Sequence, residues 1–223
     1  MTELFHGSER IIRVPKYGVG NSRNDYGLGF YCTQDAELAK EWACSDAGGG
    51  FANCYSLDDY GLTCLDLNGP GYNILNWLAV LLENRRFDLS TPIAVRAKQY
   101  LLDNFLPSYK TYDLLKGYRA DDSYFAFSRA FLANTITLSQ LKRAMVLGGL
   151  GAQVVIRSRE AFDRIAFVEA IAADASVYYP RRISRERQAR TGFQAICSEL
   201  QPEQGIFVST IINEKWTNGD ARI

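Results

Sequence analysis

Hydrophobic positions follow two periods along the chain, alternating near its start and recurring every three or four residues further on. Residues 3–8 and the run around Tyr31 predict two short strands. The stretch 34–43 predicts a helix, because its apolar positions share one face and an aspartate lies near its start. Residues 51–57 and 62–67 then predict two more strands joined by a turn.

The middle of the chain is predicted to be mostly helical. Helical spacing of apolar residues covers residues 73–86, 91–104, 122–133 and 138–145. Ser90 and Thr137 are the predicted N-caps, and Pro92 is tolerated in a first helical turn. One strand is predicted within this part, at residues 112–118.

The final third predicts a strand that starts at Gln153, a helical turn at 159–161 and a strand at 164–168. These elements complete a first domain, residues 1–170, and the mixture of helices and strands places the fold in the α+β class.

Residues 171–223 are predicted as a C-terminal extension with a basic helix and a possible strand at 206–212. Five arginines and two tyrosines fall within residues 178–190. They indicate either a solvated helix face or a contact with nucleic acid or an acidic partner.

Composition narrows the classes of partner and cofactor. The 25 Lys and Arg residues balance 25 Asp and Glu residues, so no overall charge attracts nucleic acid or membrane. Five cysteines without Cys-x-x-Cys spacing and a single histidine argue against a metal site and agree with reduced thiols in the cytoplasm. The longest apolar run, residues 77–82, is too short to span a bilayer, so we expect no membrane contact.

Residues 24–33 are the most informative stretch for function. Gly27 and Gly29 release the backbone just before an aromatic run, which predicts a turn that leads into a strand. Tyr31 then stands on a pleated surface and can stack on a flat ligand. The alternative is a hairpin edge with a tyrosine in the core.

Four phrases, taken in order, carry a resemblance to a family: Phe5-His6-Gly7-Ser8, Asp25-Tyr26-Gly27-Leu28-Gly29-Phe30-Tyr31, Glu41-Trp42-Ala43 and Tyr118-Arg119-Ala120-Asp121-Asp122-Ser123-Tyr124. Over about residues 3–170 the chain resembles a bacterial family of unknown function, DUF3990. That family is placed in the ADP-ribosyltransferase superfamily, in the histidine-tyrosine branch that includes diphtheria toxin and the poly(ADP-ribose) polymerases. The resemblance implies a split β-sandwich that binds NAD, with a helical insertion at about residues 70–147.

The resemblance also implies roles for particular residues. His6 would bind the ribose hydroxyls of NAD, and the backbone of Gly7 would hold the carboxamide. Ser8, the next residue, is a further candidate for cofactor binding. Tyr31 and Trp42 would stack on the nicotinamide from two sides, although a tryptophan at helical spacing is also typical of a core anchor. Asp121 is a further candidate ligand contact; it or Asp122 is otherwise an N-cap, and Tyr124 is an alternative contact.

Gln153 occupies the place where the superfamily usually carries a glutamate, after a glycine-rich loop that we expect to be mobile and to admit an acceptor. A glutamine can bind a ribose hydroxyl and orient the reacting sugar, but it cannot act as a general base. Three consequences remain open. The acceptor is itself a competent nucleophile, another carboxylate such as Asp121, Asp122 or Glu160 substitutes, or the protein binds NAD without turnover.

The functional expectation is a mono-ADP-ribosyltransferase that uses NAD as co-substrate, releases nicotinamide and modifies an intracellular protein or nucleic acid. The resemblance suggests a bacterial toxin or defence effector, with an antitoxin as a partner. A catalytically silent module that binds NAD or ADP-ribose, and an NAD glycohydrolase that uses water as acceptor, are the alternatives.

Overall fold

Two β-sheets carry the fold of this chain. The computed structural model describes residues 1–120, 122–149, 151–199 and 205–223. The strands are β1 (Thr2–Ser8), β2 (Phe30–Cys32), β3 (Gly50–Leu57), β4 (Cys64–Asp66), β5 (Leu114–Tyr118), β6 (Ala152–Ile156) and β7 (Ile165–Ala173). The first sheet has the order β1-β3-β7 and the second the order β2-β6-β5-β4. Only the β4–β5 pair of these sheets is parallel.

The two sheets are joined by a bridge between β1 and the residue that follows β2. The backbones of Phe5 and Thr33 exchange hydrogen bonds of 2.7 and 2.9 Å. His6 follows Phe5 directly, and its side chain reaches the backbone of Tyr31 on β2. The junction between the sheets is therefore the place where the predicted histidine and tyrosine meet.

Helices cover the sheets. Their bounds are α1 (Ala36–Ala43), α2 (Ile74–Asn84), α3 (Pro92–Phe105), α4 (Asp122–Leu132), α5 (Leu138–Ala144), α6 (Arg159–Asp163), α7 (Ala175–Ser198) and α8 (Val208–Asn213). Asp35 caps α1 by accepting hydrogen bonds from the backbone of Glu37 and Leu38, and Thr137 caps α5. None of the helices in the described residues combines the length and apolar character that a membrane crossing requires.

The main core lies between the helices and the four-stranded sheet. Helix α2 is buried from Ile74 to Leu82, which explains its nearly continuous apolar sequence. Ala189 and Ile196 of α7 and Ile211 of α8 belong to the same apolar cluster. The C-terminal helices therefore complete the core that the first 170 residues begin.

The predicted α+β class is confirmed, and most predicted elements occur within a few residues of their expected bounds. The strand predicted at 206–212 is wrong, because α8 occupies this segment. Val208, Ile211 and Ile212 are its buried residues, and their spacing is that of one helical face. The N-cap predicted at Ser90 is also wrong: Thr91 accepts the capping hydrogen bond from the backbone of Ala94, and Pro92 is the first helical residue.

The basic segment 178–190 lies within α7 and packs against α1. Arg181 pairs with Glu37, and Arg185 pairs with Glu41, whose side chain is 3% exposed. Arg182 donates to the carbonyl of Cys44. The predicted division at residue 170 falls inside β7, which leads directly into this helix.

Candidate functional site

A cavity of about 290 Å³ opens where the two sheets and α1 meet. It is lined by predicted residues from separate segments, namely His6, Gly7, Tyr31, Trp42 and Gln153. It is also lined by Asn24, Asp25, Arg85, Arg119 and Ala120. The fold thus brings together most of the residues that the sequence nominated, and adds a carboxylate and two guanidinium groups beside them.

A second cavity of about 450 Å³ adjoins the first and shares three of its lining residues, His6, Asn24 and Tyr31. Its outer wall is the loop after β1, with Ile12, Val14, Pro15, Lys16 and Val19. Most of these loop side chains are apolar. Asn53 and Tyr55 fix the loop by hydrogen bonds to the backbone of Ile12.

His6 presents a hydrogen-bond acceptor to the cavity. Its ring stacks on Phe30 with centroids 4.4 Å apart, and Nδ1 lies 2.7 Å from the carbonyl oxygen of Tyr31. A carbonyl only accepts, so Nδ1 carries the proton and Nε2 of the neutral ring is an acceptor. Burial lowers the pKa of His6 below its usual 6.5, so the ring is neutral at neutral pH.

Gly7 is required by the packing of α1 on β1. A Cβ atom at this position would lie 2.1 Å from the carbonyl oxygen of Ala39 and 2.9 Å from Cβ of Trp42. The glycine therefore allows α1 to approach β1 closely. The next residue, Ser8, is not brought to either cavity; its hydroxyl donates to the carbonyl of Arg10 and accepts from the Asn53 amide.

The ring of Tyr31 lines both cavities, while its hydroxyl group fastens the preceding turn. The hydroxyl donates to the carbonyl of Gly27 at 2.6 Å and accepts from the backbone of Tyr26 at 3.1 Å. Gly27 has a φ of +78°, which favours glycine. Burial raises the pKa of Tyr31, so the phenol remains protonated. The ring, rather than the hydroxyl, is the part available for a ligand.

Trp42 borders the cavity together with Arg119. The guanidinium carbon of Arg119 lies 4.4 Å from the centroid of the Trp42 ring, which is cation–π distance. Trp42 is therefore partly buried. Its aromatic face is in contact with a cation supplied by the protein.

Asp25 is the principal residue of the cavity that sequence reasoning missed. Its Oδ2 atom accepts hydrogen bonds from the backbone of Ala120 and from Nε2 of Gln153, both at 2.9 Å, and Arg85 lies 3.4 Å from Oδ1. Asp25 is only 6% exposed, and burial raises its pKa despite these partners. Asp25 belongs to one of the four sequence motifs that carry the family resemblance, but its partner Gln153 lies 128 residues further along the chain.

Gln153 lies on β6 opposite Gly117 of β5 and is 3% exposed. Besides Asp25, its amide nitrogen contacts the carbonyl of Tyr118 at 3.4 Å. The strand fixes the backbone of Gln153, and these two acceptors fix its side chain. The carboxylate of Asp25, which belongs to another segment, therefore lies next to the Gln153 amide.

The sequence profile of a family described as a protein of unknown function, DUF3990, matches residues 2–167. The chain belongs to the DUF3990 family. No curated protein and no solved structure matches the chain. The matched region runs from β1 into β7 and includes every residue that lines the first cavity. The cavity therefore lies entirely within the DUF3990 region, whereas α7 and α8 lie beyond it.

Of the other carboxylates that the sequence nominated, only Glu160 has a described side chain, and it does not line the cavity. Glu160 is exposed on α6 and pairs with Arg164. Asp121 and the side chain of Asp122 lie outside the described residues. Tyr124 is buried in the main core, where its hydroxyl donates to the carbonyl of Leu147. Asp25 is thus the carboxylate that the described part of the cavity contains.

The glycine-rich loop before β6 is held by α7. Arg185 donates to the carbonyl groups of Gly148 and Gly149, at 3.3 Å each, while it also binds Glu41 of α1. Leu150 lies outside the described residues. The predicted mobility of this loop stays a prediction, and these contacts tie its first half to α1 through one arginine.

Among the described residues there is no group of three or more metal-binding side chains.

Proposed function

We propose that this DUF3990 protein binds NAD in the first cavity and transfers ADP-ribose to a macromolecular acceptor, with release of nicotinamide. One observation carries the proposal: four separate chain segments bring His6, Gly7, Tyr31, Trp42 and Gln153 to the border of a single cavity. These are the residues to which the superfamily resemblance gives roles in NAD binding. Two sheets joined by a bridge between Phe5 and Thr33 also agree with the split sandwich of that superfamily.

The polar atoms of the cavity suit the parts of a dinucleotide. Nε2 of His6 and Oε1 of Gln153 are acceptors, which a pair of ribose hydroxyls can satisfy as donors. Arg85 and Arg119 provide guanidinium groups for an anionic segment. The adjoining apolar cavity of about 450 Å³ extends the available space to the range that cofactor-sized ligands need.

The transfer breaks the glycosidic bond between the ribose carbon and the nicotinamide nitrogen, and the electron pair of that bond leaves with nicotinamide. A new bond forms between the same carbon and a nucleophile of the acceptor, and the proton of that nucleophile passes to solvent water. In the proposal, His6 and Gln153 bind the sugar, Gly7 holds the carboxamide, and Tyr31 and Trp42 flank the leaving ring. The protein therefore contributes mainly positioning and electrostatic stabilisation.

A second candidate is a module that binds NAD or ADP-ribose without cleavage. It is favoured by the Arg119 guanidinium, which lies on the Trp42 face where a cationic ring would stack. It is also favoured by the amide at residue 153, which cannot serve as a general base. Tight NAD binding without nicotinamide release would support this candidate over the transferase.

The test is incubation of the purified protein with NAD labelled in the ADP-ribose part, with and without bacterial lysate, followed by assay of nicotinamide and of transferred label. Label transfer supports the transferase, and its removal by protease or by nuclease identifies the acceptor class. Nicotinamide release without lysate supports the glycohydrolase. Absence of NAD binding, transfer and release together would reject the proposal.

Gln153→Ala is expected to abolish label transfer while leaving the protein folded, because the change removes a cavity contact and no large core side chain. The matched control is Gln188→Ala, which removes an exposed glutamine on α7. Transfer by Gln153→Ala at the wild-type rate would remove Gln153 from the site. Circular dichroism melts of both variants report on folding.

A further inference from the structure

We infer that Asp25 and Gln153 act as one unit, in which Asp25 fixes the Gln153 amide so that its carbonyl oxygen is offered to the ligand. Asp25 is then a positioning residue, and Gln153 is the residue that contacts the substrate. The inference rests on the proposed function for its ligand. The pair itself is a property of the protein alone and can be tested without any ligand.

The orientation follows from hydrogen-bonding capacity. A glutamine amide can present either its oxygen or its NH₂ group, because the two ends have almost the same shape. An ionised carboxylate and a backbone carbonyl only accept hydrogen bonds. The amide end that lies 2.9 Å from Oδ2 of Asp25 and 3.4 Å from the carbonyl of Tyr118 is therefore the NH₂ group. Oε1 remains for a donor such as a sugar hydroxyl.

Asp25 can impose this orientation because it is itself held at both oxygens. The backbone of Ala120 donates to the same Oδ2 atom, and Arg85 lies on the side of Oδ1. Arg85 in turn contacts the ring of Phe125, with its guanidinium carbon 4.4 Å from the ring centroid. Three segments thus fix a carboxylate that is almost completely buried.

The charge of Asp25 adds to its geometric effect. A donor bonded to an anion becomes polarised, which makes the amide oxygen at the other end a stronger acceptor. Arg85 and Arg119 are the cations that act on Asp25, and Tyr26 and Tyr31 are the other titratable groups coupled to it. Burial raises the pKa of both tyrosines, so they stay neutral. The backbone donor of Ala120 and the guanidinium of Arg85 favour the carboxylate form of Asp25 behind the neutral amide.

An exchange of the two chemical groups tests the unit. In Asp25→Asn, the new amide can donate as well as accept, so Gln153 loses both its imposed orientation and the neighbouring charge. In Gln153→Glu, two carboxylates lie about 3 Å apart and cannot both ionise. The double variant places one carboxylate and one amide together again, in exchanged positions.

The first readout is nicotinamide release. Asp25→Asn is expected to lower kcat about 100-fold with KM changed less than about threefold, because the lost effect is electrostatic. Gln153→Glu is expected to lose activity further as the pH rises from 5 to 8, and the double variant to recover to within about tenfold of wild type. The control, Glu160→Gln, changes a carboxylate outside the cavity and should behave as wild type. An unchanged kcat in Asp25→Asn, or additive losses in the double variant, would overturn the inference.

The second readout is thermal melting without ligand. It tests whether Asp25 and Gln153 act together even if NAD proves not to be the substrate. Gln153→Glu is expected to melt below wild type, and this difference in melting temperature should be about 5 °C larger at pH 8 than at pH 5, because the proton shared by the two carboxylates is lost. Adding Asp25→Asn should remove at least half of that difference. A pH-dependent coupling between the two substitutions, together with no NAD binding, would reject the proposed function and support the Asp25–Gln153 unit. Independent effects of the two substitutions would reject the pair.

Discussion

Two buried carboxylates of this chain, Glu41 and Asp25, have similar burial and different surroundings. Both oxygens of Glu41 accept hydrogen bonds from Nε of Arg185, at 3.0 and 2.8 Å, and this pair joins α1 to α7. Asp25 is bound by a backbone amide, a side-chain amide and a more distant arginine, and it borders a cavity. Glu41 connects α1 to α7, whereas Asp25 faces a cavity that a ligand can fill.

The difference teaches how a buried charge is related to stability and to function. The pKa of Asp25 is raised, which means that burial of the ionised form costs more than its partners return. Buried groups with perturbed pKa values are typical of functional sites. The Glu41 pair, by contrast, ties together α1, α7 and the loop at residues 148–149. We therefore expect substitution of Glu41 to affect stability and substitution of Asp25 to affect activity.

The largest expected effect on stability is that of Glu41→Ala. Removal of one partner of a buried ion pair costs about 3–5 kcal/mol, and the lower figure applies because Arg185 remains partly in water. For a chain of this size about 3 kcal/mol corresponds to a fall of roughly 6–12 °C in Tm. Calorimetry measures this directly.

The matched control for Glu41→Ala is Glu199→Ala. Glu199 also forms a paired contact with an arginine, Arg143, but both side chains are exposed. Surface pairs of this kind contribute about 0–1 kcal/mol, so Tm should fall by less than about 4 °C. Equal melting of the two variants would show that the α1–α7 pair is not a stabilising contact.

Asp25→Asn is expected to have a smaller effect on stability, with the opposite sign. A carboxyl group whose native pKa is raised contributes stability below pH 3.8, and this contribution is lost as the pH rises through the native pKa. At pH 7 the asparagine variant should therefore melt at or above the wild-type temperature, and the difference should shrink towards pH 4. A variant that melts more than about 4 °C below wild type at pH 7 would mean that Asp25 is a structural group like Glu41.

The sequence predicts the parts of this site that are local, and not those that depend on distant partners. Gly7, Tyr31 and Trp42 stand in short phrases whose glycine and aromatic content is informative by itself. The contact between Asp25 and Gln153 joins residues 128 positions apart, and the contact of Arg119 with Trp42 likewise joins distant segments. Periodicity reports which face of an element is buried, but it carries no information about which polar groups meet across the fold.

The same limit explains the errors in secondary structure. The apolar run at 206–212 is short enough to suit a strand or a buried helix, and burial against the main core decides for α8. The arginines of α7 indicate a solvated face or a nucleic-acid contact when they are considered alone. Glu37 and Glu41, which bind two of them, belong to α1 at the other end of the sequence.

The smallest expected effect concerns the second titratable group of the cavity, His6, whose dependence on pH is opposite to that of Asp25. Burial lowers the pKa of His6, so its contribution to stability is present above pH 6.5 and is lost as the pH falls through the lower native pKa. Protonation also turns the Nε2 acceptor into a donor, which a ribose hydroxyl cannot satisfy in the same way.

Titration calorimetry of wild type and His6→Gln with NAD at pH 7.5 and 5.5 tests this point. A glutamine can donate to the carbonyl of Tyr31 and accept from a ligand, as the neutral imidazole does, but it does not titrate. We expect wild-type affinity to fall by up to about tenfold at the lower pH, and that of His6→Gln by less than about twofold. An equal fall in both proteins would assign the pH dependence to Asp25 or another group, and the comparison of the two carboxylates would then have to include ligand binding as well as stability.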